Sequence, residues 1–172
     1  MTRPLSPEVL LSSERIKRRI AELAKEIAAT VPAETELAVL VILKGAFVFA
    51  ADLVRELPCR TRIGFMEIHK DPERPGRADF VFTHPFPMEG ADVLVVEDIL
   101  DTGHTLDHLL SRLNARRPQR LRTVVLLDKK PRREVPVLPE FIGFEVPDKW
   151  VVGYGLDDDE NYRNLPFVGF VE

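Results

Sequence analysis

Three segments of this 172-residue chain contain uninterrupted apolar runs, and these runs restrict its fold more than any other feature. They are LAVLVIL (Leu37–Leu43), DVLVV (Asp92–Val96) and RTVVLLD (Arg122–Asp128). A strand with one face in water alternates apolar and polar residues, whereas an unbroken β-branched run is typical of a strand covered on both faces. The three runs therefore predict a mostly parallel sheet between layers of helices.

Helical patterns alternate with these strands. The first helix is predicted to begin at Ser12 or Ser13, either a suitable N-cap, and to end near Ala29, since Ile16, Ile20, Leu23 and Ile27 form one apolar stripe. Two further helices are expected over Ala46–Leu57 and Thr105–Arg116, and four further strands over TRIGFMEIH (Thr61–His69), DFVFTH, FIGFEV and WVVGYGL. This order predicts a single α/β domain, residues 1–172, with a doubly wound sheet flanked by helices.

Composition excludes several classes of protein. The net charge of −4 gives no general attraction to nucleic acid or to an anionic membrane. No apolar run approaches the roughly 20 residues that span a bilayer, and the N-terminal segment lacks the pattern of a signal peptide. Cys59 is the only cysteine, so no internal disulfide can form. We therefore expect a cytoplasmic protein without a membrane partner.

Ligands of doubly wound sheets bind beyond the carboxyl ends of the strands. Four segments follow predicted strand ends, and we expect them to converge on one cleft. They are Lys44-Gly45, the loop Glu97–Thr105, Asp128-Lys129 and the residues after Val152.

The second half of the Glu97–Thr105 loop has the composition of a phosphate site. Asp101-Thr102-Gly103-His104-Thr105 lies between a strand and the start of a helix, where unpaired N–H groups and a partial positive charge attract anions. Gly103 allows the backbone to approach a ligand, and Thr102 and Thr105 add hydroxyl groups. The spacing matches neither the NTPase P-loop nor the dinucleotide fingerprint, so the segment predicts a site for one terminal phosphate.

Glu97 and Asp98 precede this phosphate site. Carboxylates repel phosphate, but they accept hydrogen bonds from sugar hydroxyls and bind Mg²⁺. An acidic pair beside a phosphate site therefore suits a ribose 5-phosphate. The alternative is an ordinary acidic turn in which Asp101 and Thr102 only cap the following helix.

The complete string E-D-x-x-D-T-G-x-T resembles the 5-phosphoribosyl-1-pyrophosphate (PRPP) signature of the type I phosphoribosyltransferases. VILKGAFVFAADLVREL is similar to the pyrophosphate-loop segment of the hypoxanthine-guanine branch of that family. TVVLLDKKPRR and FIGFEVPDKWVVGYGLDDDENYRNLPFVGFV resemble its purine-binding strand and C-terminal hood. The PDK-aromatic-VVGYGLD…YRNLP string is the most specific, because it separates 6-oxopurine enzymes from orotate, uracil and adenine enzymes.

This resemblance implies a fold and a reaction. The fold is the type I phosphoribosyltransferase fold, with a small hood formed mainly by residues 1–12 and 135–172. The reaction is purine salvage, in which the 5-phosphoribosyl group of PRPP passes to N9 of hypoxanthine or guanine and yields IMP or GMP and pyrophosphate. It also implies a Mg²⁺ cofactor and a homodimer or homotetramer.

The resemblance assigns roles to individual residues. Asp101 is the implied catalytic acid/base group at purine N7, and Glu97 and Asp98 hold the ribose hydroxyls and Mg²⁺. The remaining assignments are Thr102, Gly103, His104 and Thr105 for the 5-phosphate; Lys44, Gly45 and Arg163 for pyrophosphate; Lys129, Trp150, Val151 and Ile99 for the purine; and Asp157 for a second Mg²⁺. The peptide bond Leu43–Lys44 is the implied site of a cis bond.

Several of these residues have simpler interpretations. Lys129 can belong to a solvated basic turn, Trp150 to the core and Asp157 to a solvated acidic loop. His104 is expected to contribute only its backbone, and the role of Lys149 is open. One segment also departs from the family, since Lys70-Asp71 stands where a Ser-Tyr pair usually begins a mobile loop.

Two other functions remain as alternatives. One is a phosphoribosyltransferase that prefers xanthine and guanine. The other is a PRPP-sensing regulator that binds nucleic acid, which requires a basic face. The net charge argues against the regulator, although one cluster is locally basic: Arg112, Arg116, Arg117, Arg120 and Arg122.

Overall fold

A six-stranded sheet forms the centre of the molecule, as the computed structural model of residues 7–70, 78–86 and 88–171 describes it. The strands are β1 (Glu8–Leu11), β2 (Leu37–Leu43), β3 (Thr61–Lys70), β4 (Ala78–Phe82), β5 (Asp92–Leu100), β6 (Arg120–Asp128), β7 (Phe141–Glu145), β8 (Val151–Val152) and β9 (Val168–Phe170). The helices are α1 (Ser13–Ala28), α2 (Phe47–Glu56) and α3 (His104–Asn114), with a short 3-10 helix over Lys130–Arg132.

The sheet has the order β4-β3-β2-β5-β6-β7, and every neighbouring pair is parallel except β3 and β4. The predicted doubly wound, mostly parallel sheet is therefore confirmed. β2 lies in the middle, where all of its residues except Leu43 are buried. Its unbroken apolar run follows from this position, because neither face of the strand reaches water.

Helices cover both faces of the sheet. Buried residues of α1 and α2 pack with one set of strand residues, and those of α3 pack with the set on the opposite face. The predicted stripe of α1 is buried, and Ser12 is its N-cap, since the hydroxyl of Ser12 accepts a hydrogen bond from the N–H of Arg15 at 3.4 Å. No helix in the described ranges is long and apolar enough to cross a membrane.

The structure corrects the predicted end of β5. The apolar run ends at Val96, but β5 continues to Leu100 because its backbone still pairs with β6, with Glu97 opposite Val125 and Leu100 opposite Asp128. Glu97 and Asp98 therefore lie on a strand and not in a loop. Backbone pairing sets where this strand ends, and the change of residue type does not.

A second, three-stranded sheet has the order β1-β9-β8. β1 and β9 were not predicted, and only Val151–Val152 of the predicted WVVGYGL strand is extended. The rest of that segment turns sharply, with positive φ at Gly153, Tyr154 and Gly155. The assignment of residues 1–12 and 135–172 to a hood remains a prediction. Lys70 is the last residue of β3, whereas Asp71 and the rest of the predicted mobile loop lie outside the described residues.

Candidate active site

A cleft of about 520 Å³ opens at the carboxyl ends of β2 and β5. Three of the four segments predicted to converge do line it, while Asp128-Lys129 does not. The lining residues are Ile42 to Gly45, Ile68, Glu97 to Gly103, Thr105, Leu106, Asp157 and Arg163. The cleft therefore combines the acidic pair, the loop that leads into α3 and the C-terminal acidic loop.

The carboxylate of Asp98 lies against the backbone of Gly45. A Cβ atom added at Gly45 would be 1.5 Å from Asp98 Oδ2, so only glycine permits this approach. Asp98 Oδ1 accepts a hydrogen bond from the N–H of Ile99 at 2.7 Å. Burial raises the pKa of Asp98, although the hydrogen bonds of Glu97 and the local backbone oppose that change. The β2–α2 turn and the acidic pair thus form one continuous wall of the cleft.

The loop from Asp101 to Thr105 begins α3. Gly103 is the N-cap of this helix with φ of 94°, a conformation that favours glycine, and it caps the helix without a side-chain hydrogen bond. Its carbonyl accepts from the N–H of Asp107 at 2.9 Å. A helix N-terminus without a side-chain cap leaves backbone N–H groups for another acceptor. His104, whose backbone begins α3, directs its imidazole elsewhere, with Nε2 2.8 Å from Glu134 Oε2.

Asp101 lies at the mouth of the cleft, where its side chain is 44% exposed. Its Oδ1 accepts a hydrogen bond from Nε of Arg132 at 2.6 Å. Asp101 and Thr102, which could have been helix caps in an ordinary acidic turn, do not cap α3, because Gly103 holds the N-cap position. The carboxylate of Asp101 therefore lies at the opening of the cleft, and in the part of the chain that the structure describes it forms one ion pair, with the exposed Arg132.

The C-terminal acidic loop is built around Arg163. Asp157 Oδ1 lies 2.9 Å from Nη2 of Arg163, whose Nη1 donates to the carbonyl of Gly155 at 2.8 Å. Lys44 Nζ reaches Glu160 Oε1 at 3.1 Å, an exposed contact that lowers the pKa of Glu160. Asp157 is consequently half-buried and paired with Arg163, whereas Asp159 and Glu160 of the same loop are exposed. The peptide bond Leu43–Lys44 is cis, as predicted.

Of the four predicted purine residues, Ile99 lines the cleft, and Lys129, Trp150 and Val151 are not among its lining residues. Lys129 is 6% exposed, whereas the side chain of Lys130 is 56% exposed, so the solvated basic turn describes Lys130 and not Lys129. Trp150 is 58% exposed, which excludes the core interpretation. Val151 is buried in β8, while Ile99 is half-buried and lines the cleft. Lys149 lies over the ring of Phe170, with Nζ 3.4 Å from the centroid.

The basic cluster proposed for nucleic acid is largely engaged within the protein. Arg120 and Arg122 pair with Asp92, Arg117 lies 2.7 Å from Glu89, and the guanidinium groups of Arg112 and Arg116 lie over the rings of Phe80 and Phe82. These partners neutralise or cover most of the cluster. The structure thus does not favour the nucleic-acid-binding alternative.

Arg132 and Arg133 were treated in the sequence only as members of a basic turn, and their contacts were missed. Arg132 pairs with Asp101, and Arg133 joins the carboxylate of Asp128 to the carbonyl of Asp101. These partners lie 31, 32 and 5 positions away. Spacing along the chain carries no signal for the first two contacts.

Comparison with known proteins gives consistent results. Residues 8–159 match the model of the phosphoribosyl transferase domain. The chain is 46% identical to the hypoxanthine-guanine phosphoribosyltransferase of Aquifex aeolicus, over 96% of this chain and 94% of that protein. It is 40% identical to the hypoxanthine phosphoribosyltransferase of Escherichia coli K12, over 95% and 94%.

The solved structures show the same relationship. A crystal structure of a hypoxanthine-guanine phosphoribosyltransferase from Bacillus anthracis, with a HEPES molecule in its active site, superimposes with a TM-score of 0.91. It is 38% identical, and the match covers 96% of this chain and 98% of that one.

Proposed function

Because the chain belongs to the phosphoribosyl transferase family, we propose that it transfers the 5-phosphoribosyl group of PRPP to N9 of a 6-oxopurine, hypoxanthine or guanine. It is an enzyme of purine salvage and a pentosyltransferase. The products of the proposed reaction are IMP or GMP and pyrophosphate. A preference for xanthine or a role as a regulator has no feature of the structure in its favour.

One observation supports the proposal above all others. A single cleft joins an acidic pair, a helix N-terminus without a side-chain cap and a basic side chain, Arg163. These groups match the three chemical parts of PRPP, since carboxylates accept from ribose hydroxyls, helix N–H groups bind a terminal phosphate and an arginine binds pyrophosphate.

In the proposed complex, Glu97 and Asp98 accept hydrogen bonds from the ribose hydroxyls. The backbone and hydroxyl groups of residues 102–105 hold the 5-phosphate. The backbone at Lys44 and Gly45, on the wall that Asp98 also forms, would contact pyrophosphate. The substrate is thereby fixed on both sides of C1, and such fixed positions lower the entropic part of the barrier.

The acidic residues of the cleft are suitable for magnesium that arrives with the substrate. Within the described ranges, no three metal-binding side chains converge closely enough to hold an ion alone. Magnesium is usually held by one or two carboxylates together with substrate phosphates, so Glu97, Asp98 and Asp157 would hold it beside the substrate. When bound, magnesium neutralises charge that develops on the leaving pyrophosphate.

Asp101 is the proposed acid/base residue. Its carboxylate at the mouth of the cleft can accept a proton or a hydrogen bond at purine N7 while N9 attacks C1 of the ribose. The N9–C1 bond forms as the bond from C1 to the pyrophosphate oxygen breaks, and the electron pair of that bond leaves with pyrophosphate. Arg163 would offset the charge on the departing group.

The purine would be recognised from the side of β6 and β8. Lys129 would donate to O6, Trp150 would stack on the base, Val151 would contact its edge through the main chain, and Ile99 would contact it from β5. The exposed ring of Trp150 is consistent with a surface that a base covers. A Mg²⁺ requirement, a cytoplasmic location and a homodimeric or homotetrameric assembly remain predictions.

The direct test is turnover. The protein is incubated with PRPP, Mg²⁺ and hypoxanthine, guanine or xanthine in turn, and pyrophosphate release is measured. We expect release with hypoxanthine and guanine, and the nucleotide product identifies the reaction. Absence of pyrophosphate release with every 6-oxopurine would contradict the proposal, and release with xanthine in preference to hypoxanthine would support the alternative.

A further inference from the structure

The loop Asp101–Thr105, here called the phosphate loop, is held from behind by the segment Arg132–Val137, here called the brace. The brace begins at the last residue of the short 3-10 helix after β6, and none of its residues is among those that line the cleft. The contacts join Asp101 to Arg132 and Arg133, Thr102 to Glu134 and Val135, Gly103 to Arg133, Val135 and Val137, and His104 to Glu134.

Arg133 makes the most buried of these polar contacts. Its Nη1 donates to the carbonyl of Asp101, and its Nη2 pairs with Oδ1 of Asp128. The side chains of Arg133 and Asp128 are 16% and 3% exposed. Asp128 is the last residue of β6, next to the proposed base-binding Lys129, so one guanidinium ties that strand end to the phosphate loop.

These contacts also set the direction of the backbone in the phosphate loop. The carbonyl of Asp101 accepts from Arg133, and that of Thr102 accepts from the N–H of Glu134 at 2.9 Å. The only cis peptide among the described residues is Leu43–Lys44, and in a trans peptide the N–H points opposite to the carbonyl. The N–H groups of Thr102 and Gly103 must therefore point away from the brace, towards the cleft that their residues line.

Apolar packing supports the same arrangement. A Cβ atom at Gly103 would lie 2.7 Å from Val137 Cγ1, 2.9 Å from Val135 Cγ2 and 3.2 Å from Arg133 Cδ. The stem of Arg133 and the two valines therefore press directly on the glycine that begins α3. The phosphate loop cannot retreat from a ligand without displacing the brace.

We infer that Arg133 is a positioning residue, which orients the amides of the phosphate loop for the 5-phosphate of the substrate. The inference rests on the proposed function, because it assigns the loop to that phosphate. Arg133 does not reach the substrate; it acts through the carbonyl of Asp101 and is fixed in turn by Asp128. The other polar side-chain contacts of the brace are more exposed, with Arg132 at 44% and Glu134 at 61%, and exposed ion pairs contribute little.

The chain contains a matched control at the opposite end of the same strands. Arg122, in β6, pairs with Asp92, the first residue of β5, and the two side chains are 10% and 0% exposed. Each of the substitutions Arg133→Met and Arg122→Met removes the arginine partner of a buried aspartate. Both should destabilise the fold, but only Arg133→Met should affect the phosphate loop.

The experiment measures the Kd of ribose 5-phosphate by calorimetry, the KM of PRPP, kcat and the melting temperature for the full chain. We expect Arg133→Met to raise the Kd of ribose 5-phosphate and the KM of PRPP by about 10- to 100-fold, the range for a lost hydrogen bond from a charged group. The kcat at saturating PRPP should change much less. Arg122→Met should lower the melting temperature. Its Kd for ribose 5-phosphate and its KM for PRPP should stay within about two-fold of wild type, a negligible difference in binding free energy.

A third variant covers the case in which Arg133→Met fails to fold. Arg133→Lys keeps a cation near Asp128, but a single ammonium cannot reproduce the two-pronged guanidinium contact. We expect Arg133→Lys to have near-normal stability and a higher Kd for ribose 5-phosphate. Two results would overturn the inference. In both, Arg133→Lys binds ribose 5-phosphate as tightly as wild type. In addition, the two methionine variants either bind ribose 5-phosphate as tightly as wild type or lose affinity for it to the same extent. Because the calorimetric Kd does not need turnover, an inactive wild-type enzyme would contradict the proposed reaction alone.

Discussion

The two ends of β5 carry the same type of side chain in opposite settings. At the amino end, Asp92 is 2% exposed and lies between two arginines, with Oδ1 on Arg122 and Oδ2 3.2 Å from Arg120 Nη2. At the carboxyl end, Glu97 and Asp98 are half-buried and line an open cleft. Asp101, just beyond the strand, forms an ion pair with the exposed Arg132, and it forms no other ion pair within the described ranges.

This difference separates a carboxylate that is paired within the protein from carboxylates that line an open cleft. A buried charge needs a partner within the protein, and Asp92 has two. The carboxylates at the other end face the cleft because the parallel strands end there and their connecting loops diverge. Strand direction thus decides which end of an acidic strand stabilises the fold and which end can bind a substrate.

The largest expected effect is at the carboxyl end. Asp101→Asn keeps the shape of the side chain and removes its charge. If Asp101 is the acid/base residue, kcat should fall by roughly 10²- to 10⁴-fold, the usual contribution of such a group. PRPP affinity should be nearly unchanged, because the phosphate loop is intact. Single-turnover kinetics and a PRPP titration measure the two quantities separately.

The opposite pattern would change the assignment. A variant that lost PRPP binding but kept its single-turnover rate would make Asp101 a ribose or metal residue.

The next effect is at the amino end of β5. Asp92→Asn leaves Arg122 without its ion-pair partner in the protein interior, and such losses typically cost about 3–5 kcal/mol. We expect the free energy of unfolding in urea to fall by that amount, with PRPP and purine kinetics unchanged. Glu97→Gln, on the same strand, is the matched variant. It should weaken PRPP binding and lower the free energy of unfolding by less than Asp92→Asn does. Equal effects of the two variants on stability would remove the distinction between the strand ends.

A smaller effect is expected beyond β6. Lys129→Ala should lower kcat/KM for the 6-oxopurine. The corresponding loss of transition-state stabilisation should be about 1–3 kcal/mol, the cost of an unmet charge-assisted hydrogen bond to O6. Use of PRPP should change much less. Lys130→Ala is the control, because Lys130 is exposed and pairs with Glu145. Purine kinetics that respond equally to both substitutions would argue against a specific role for Lys129.

The smallest effect concerns the ligands themselves. PRPP with Mg²⁺ should raise the melting temperature more than hypoxanthine does, because PRPP is expected to contact the acidic pair, the phosphate loop and the β2–α2 turn. A ligand that binds only the folded state must stabilise it. A thermal shift assay at matched concentrations makes the comparison, and equal or greater stabilisation by hypoxanthine alone would contradict it.

The fold was largely predictable because burial leaves a strong pattern in the sequence. β2, with its unbroken apolar run, was predicted with its bounds Leu37–Leu43, since a central parallel strand is apolar throughout. The second sheet was missed because β1 and β9 have only four and three residues. Segments that short show too little periodicity to be identified.

The sequence by itself determined the chemistry at the carboxyl end of β5. The E-D-x-x-D-T-G-x-T string is local, and its residues need only one strand, one turn and one helix start to act together. The tertiary structure alone decided which charges remain open to a ligand. Asp92 forms an ion pair with Arg122 of the neighbouring strand. The carbonyl of Asp101 in the phosphate loop accepts a hydrogen bond from Arg133, 32 positions later in the chain. Such contacts depend on the register of neighbouring strands and on chain packing, which no local spacing encodes.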